Sequence, residues 1–177
     1  MNQELKIRYP EGEEPGNKYK GVKSYYWIHD TCEIENLHGG VWDAAVALCR
    51  NYHLITNRRL CWYSGNDKGH TKGSMHYENM ALDISLKAIR TQSGLSEDKQ
   101  LRAIYWSLIN TITGADAWKL QDIVFLLNFD ENYVHIQKTW RNISGGGEKW
   151  GFHPVIFTED TLKKISKSGL VTLADLY

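Results

Sequence analysis

The twelve residues from Ser74 to Ser85 read SMHYENMALDIS, and the fold turns on how they are read. From Ala81 to Ser85 the side chains alternate: Leu82 and Ile84 share one side, while Ala81, Asp83 and Ser85 share the other. That period of two predicts a strand. A carboxylate set between two apolar neighbours is costly to bury without a partner. Asp83 therefore calls for one, and a metal ion is a good partner. His76, seven positions earlier at the end of a polar loop, supplies a second ligand type.

Working outward, the strand covers MALDISL at 80–86, behind a surface loop, SGNDKGHTKG, at 64–73 that has three glycines and no periodicity. RLCWY at 59–63 has strand composition. Val41, Ala44, Ala45, Leu48, Cys49 and Tyr52 repeat at helical spacing after Gly39-Gly40, which predicts a helix ending near His53. YYWIHDT at 25–31 reads as a short strand or a packed aromatic segment, and residues 1–20 as an irregular arm.

Downstream, Ser96 is the expected N-cap of a helix with Glu97 and Asp98 in its first turn and apolar positions from Leu101 to Ile112. IVFLLNF at 123–129 and YVHIQ at 133–137 are strands joined by a tight acidic turn. SGGGEKWG at 144–151 reads as a second loop, and Thr158 opens a short helix that stops at Gly169. The expectation is a single α+β domain over 1–177, with helices packed on a small, mostly antiparallel sheet.

Composition narrows the function. Lys plus Arg and Asp plus Glu are 21 each, which removes the electrostatic case for nucleic acid or an anionic membrane. Cys32, Cys49 and Cys61 form no CxxC pair and sit in apolar segments, as reduced core residues do. The first residues lack the apolar core of a signal peptide, and no run reaches membrane-spanning length. A soluble chain, cytoplasmic as synthesised and without membrane insertion, is expected.

A catalytic zinc site typically keeps three protein ligands and one open position. His76 and Asp83 are two candidates, and His135, inside the apolar strand YVHIQ, is the third. No HExxH occurs, so a helix-borne site is not on offer.

SMHYENMALD closely resembles the SxHxxGxAxD signature of the zinc D-alanyl-D-alanine carboxypeptidase family, which includes VanX- and VanY-type dipeptidases and phage endolysins. Ser74, His76, Ala81 and Asp83 fall on the motif positions. Asn79 stands where the family has glycine, and asparagine tolerates the left-handed conformation that glycine supplies. The resemblance covers about residues 41–138 as a metallopeptidase-like core. It implies a zinc ion held by His76, Asp83 and His135, and a peptidoglycan peptide as substrate.

It also implies a carboxylate base three residues before the last histidine, and an arginine ahead of the motif that stabilises an oxyanion. Asn132 occupies the first position, where it would be a supporting residue. The base then passes to Glu131, which has the longer reach, or to Asp130. For the arginine, Arg59 is the substitute on the preceding strand, with Lys68 and Lys72 in the loop. Ser74 would orient His76 or its loop, and His70 would be a spare ligand or a substrate contact. The implied activity is a zinc-dependent peptidase cleaving peptidoglycan stem or cross-link peptides, of a phage-type lytic kind and released later to the wall or virion. The alternative is a zinc-binding module, catalytically weak or inactive, that recognises a wall peptide or protein partner.

Overall fold

In the computed structural model the described residues are 25–29, 31–67, 69–87, 95–115, 117–139, 150–152 and 154–170. The expected N-terminal arm at 1–20 and most of the expected loop at 144–151 lie outside them.

Seven strands are present among these residues: β1 Tyr26–Ile28, β2 Leu60–Ser64, β3 Ala81–Ser85, β4 Ile123–Asn128, β5 Tyr133–Lys138, β6 Trp150–Phe152 and β7 Val155–Phe157. They form one mixed sheet in the order β1-β2-β3-β5-β4-β7-β6. β2–β3, β3–β5, β4–β5 and β6–β7 pair antiparallel, whereas β1–β2 and β4–β7 pair parallel. Three helices with described bounds accompany it: α1 Gly39–Thr56, α2 Glu97–Thr113 and α3 Glu159–Lys167. The architecture is α+β, as the order of patterns predicts.

The alternation in β3 sorts the two faces. Leu82 and Ile84 are fully buried and join Val41, Ala44, Ala45 and Leu48 of α1 and Leu101, Ile104 and Leu108 of α2 in the main core. Truncating such a core leucine to alanine typically costs about 2–5 kcal/mol. The helices thus cover one face of the central strands. On the other face, a single cross-strand row runs Ser64, Asp83, His135, Leu126 and Ile156. A register shift between Trp62 and Ser64 interrupts the β2–β3 ladder. Such bulges re-aim side chains, and this one brings Ser64 opposite Asp83.

Helix ends follow local chemistry. The Ser96 and Thr158 hydroxyls accept from the backbone N–H groups of Lys99 and Thr161, so both expected caps form. α1 is longer than its apolar periodicity indicates. It begins at Gly39 because the His38 imidazole accepts from the Gly40 N–H, and it closes at Asn57, in the left-handed region at φ 55°.

Two strands differ from expectation. Trp150 and Gly151 open β6 instead of ending a loop, because the antiparallel pairing of Trp150 with Phe157 recruits them to the sheet edge. β7 has too few residues for its period to show in the sequence. It exists because Phe125, Leu126 and Leu127 of β4 offer it a parallel partner.

Candidate metal centre

The motif folds as a single turn followed by β3. Met75–Glu78 is a 3-10 turn capped by Ser74, whose hydroxyl accepts from the His76 N–H at 3.3 Å. Ser74 therefore shapes the turn that carries His76. Asn79 ends the turn in the left-handed region at φ 57°. Its carbonyl accepts from the His38 N–H at 2.8 Å, tying the motif to the start of α1. Its side-chain oxygen accepts from the Asn66 amide at 2.9 Å.

From this frame His76 and His135 converge on Asp83. His76 Nε2 lies 3.3 Å from Asp83 Oδ2, and His135 Nδ1 lies 2.7 Å from Asp83 Oδ1. The outer nitrogen of each ring is held by a carbonyl oxygen. His76 Nδ1–H donates to the Gly65 carbonyl at 2.9 Å. His135 Nε2 meets Gln137 Oε1 at 2.8 Å, and the orientation of the Gln137 amide is fixed because its Nε2 donates to the Thr139 carbonyl at 2.8 Å. An outer N–H held in this way leaves the inner nitrogen as the ligating one, the arrangement that orients metal-binding histidines.

Gly65 is indispensable to this arrangement. A Cβ there would sit 2.0 Å from the Glu33 carbonyl oxygen. Asp67 secures the same turn by accepting from the N–H groups of Glu33 and Gly65 and from the Ser64 hydroxyl.

Electrostatics agree with the geometry. Burial by itself would raise the Asp83 carboxyl, but the hydrogen bonds and charges of His135 and His76 outweigh it and hold it well below the usual carboxylate range. Burial opposes protonation of His135, yet the Asp83 carboxylate and the Gln137 oxygen raise it above the ordinary imidazole value. Without a cation, Asp83 and His135 thus each favour the other's charged form. A divalent ion is a chemically suitable replacement for the shared proton, because the donors are two imidazoles and one carboxylate.

The donor atoms that lie together differ from the expected set: one each from His70, His76 and Asp83 lies within 4.8 Å of the others, a group that could hold a metal ion and that does not include His135. The His70 ring stacks on His76 with centroids 3.8 Å apart and planes 4° from parallel. All four residues line a cleft of about 340 Å³, walled on one side by Thr71, Lys72, Gly73 and Ser74 and on the other by Leu126, Tyr133 and Gln137.

Most of the remaining expected residues lie elsewhere. Asp130 and Glu131 are exposed on the β4–β5 turn. Asp130 pairs with Lys164 at 2.8 Å, and Glu131 accepts from the Asn128 amide at 3.0 Å. Asn132 occupies the left-handed position of that turn at φ 65°. Arg59 precedes β2 at the end where Cys61 faces Ser85, away from the end where Ser64 faces Asp83. Of the two loop lysines, Lys72 lines the cleft and Lys68 lies outside the described residues. Gln137 and Tyr133 were not singled out in the sequence. Their period-two spacing about His135 is the signal that would have found them, since positions 133, 135 and 137 of a strand share one face.

No helix among the described residues is long and apolar enough to cross a membrane. Compared with protein families, with curated proteins and with solved structures, the chain finds no match.

Proposed function

We propose that this chain is a zinc-dependent peptidase of the D-alanyl-D-alanine carboxypeptidase type, acting on peptidoglycan stem or cross-link peptides, with zinc held by His76, Asp83 and His135. The observation that supports it is the approach of two histidines to opposite oxygens of Asp83, each with its outer nitrogen tethered to a carbonyl oxygen. A bound zinc ion would supply a Lewis acid for the scissile carbonyl and lower the pKa of a water in the cleft.

The chain's own residues do the rest. Gly65 and Gln137 fix the ligand rings, and the 70–74 segment and Tyr133 shape the substrate cleft. Glu131 is the proposed proton acceptor. The Asn128 amide donates both to Glu131 and to the Tyr133 hydroxyl, which links that carboxylate to a residue lining the cleft. Asp130, held by Lys164, is the weaker candidate. Lys72 is the cation at the cleft that would take the role expected of the arginine.

A second reading has its own support. Both turn carboxylates are engaged by other side chains and Asn132 cannot accept a proton, which favours a zinc-binding module that recognises a wall peptide without cutting it. Digestion of purified peptidoglycan by the wild type and by Asn132→Asp decides between them. Chelator-sensitive release of peptides by the wild type supports the peptidase. Release by Asn132→Asp alone supports the binding module.

A further inference from the structure

We propose that His70 is a displaceable fourth metal donor, which closes the centre in the absence of substrate and withdraws when a carbonyl or anionic ligand enters. The inference rests on the metal-binding reading above and extends it to how the site is regulated.

The tautomer of His70 follows from its neighbours. The Ser64 hydroxyl donates to the Asp67 carboxylate, so its oxygen is free to accept from His70 Nε2–H at 3.0 Å. The Gly65 carbonyl lies 3.1 Å from the same nitrogen. His70 Nδ1 therefore carries the lone pair. This is the pattern of His76 and His135 repeated: one nitrogen tied to a protein acceptor, the other left to ligate. One of its ring nitrogens lies within 4.8 Å of donor atoms of His76 and Asp83.

The stacked pose nevertheless is not a ligating one. Two parallel imidazoles hold their in-plane lone pairs in separate planes 3.8 Å apart at the ring centroids, which do not meet at one ion. To engage, the ring must tilt about its Nε2 anchor. The main chain stays in place meanwhile, because the Tyr77 hydroxyl donates to the His70 carbonyl at 2.9 Å. Three protein ligands with an open position suit catalysis, and four make a closed site. His70 can convert one to the other.

X-ray absorption on the full-length zinc protein counts imidazole ligands without any mutation. Three imidazoles in the resting protein, falling to two with acetohydroxamate, is the expected result. Two in both states, or three in both, overturns the proposal while leaving the metal centre intact. Failure of the wild type to take up zinc overturns the metal-binding reading and this inference with it. As a second line, His70→Ala should weaken zinc binding by about 10-fold and strengthen acetohydroxamate binding to the cobalt form by a similar factor. Unchanged values for both ligands in a variant that keeps the wild-type far-UV spectrum also overturn it.

Discussion

Asp83 and His135 are direct partners across the β3–β5 ladder, and their side chains meet at 2.7 Å between Oδ1 and Nδ1. Backbone register alone brings together two residues that are 52 positions apart in the chain. The donor pair is thereby mounted on rigid strands, which is where a precise site is best held. Asp83→Asn keeps the shape and removes the charge that holds both rings. Zinc affinity, read by competition with a chromophoric chelator, should fall by at least about 100-fold, beyond the range seen on losing an outer partner. Near-wild-type affinity in this variant would rule out Asp83 as a ligand.

Gln137 is buried, and its amide is locked between His135 and the Thr139 carbonyl. Gln137→Leu preserves the apolar bulk but releases the outer nitrogen of His135. Zinc affinity should drop by roughly 10–100-fold, and the zinc-free protein should lose about 1–3 kcal/mol of stability as the buried Nε2–H of His135 loses its acceptor. An unchanged affinity would mean that the ring is oriented by packing alone.

Gly65→Ala places a methyl group 2.0 Å from the Glu33 carbonyl oxygen, a backbone atom that cannot turn aside. Overpacking of this kind costs about 1–3 kcal/mol or more. Urea unfolding should show that loss, and the displaced Gly65 carbonyl should weaken zinc binding in the same variant.

Cys49 and Cys61 lie in the core beside Trp62, and burial pushes both thiols from 9.0 up to about 12. The sign follows from linkage: above pH 9 the unfolded chain ionises these thiols while the folded chain keeps them protonated. The stability they confer is complete below that pH and is lost as pH rises toward 12. Each contributes a slope of about 1.4 kcal/mol per pH unit. Urea denaturation between pH 9 and 11 should show this decline, and it should be shallower in Cys61→Ala. Equal slopes in the two proteins would show that the thiols do not drive it.

Helices with long periodic faces were legible in the sequence, and so were strands whose alternation spans five residues or more. Val41 to Tyr52, Leu101 to Ile112 and Ala81 to Ser85 each repeat often enough for the period to stand out. β6 and β7 did not, since three residues carry no period and their pairing partners lie far away in the chain. His76, Asp83 and His135 could be nominated from a local motif and a polar residue in an apolar strand. Gln137 and the Gly65 carbonyl could not, because their roles arise from contacts across strands and loops.

The residues themselves determined the covered and open faces of the sheet. Alternation in β3 and β5 assigns Leu82, Ile84, Val134 and Ile136 to the core and leaves Asp83 and His135 opposite. Tertiary structure alone decided the strand order, the bulge that turns Ser64 toward Asp83, and the stacking of His70 on His76. The physical reason is range. Burial preference and backbone period act between near neighbours, whereas register and ring orientation are fixed by hydrogen bonds that exist only once distant segments have met.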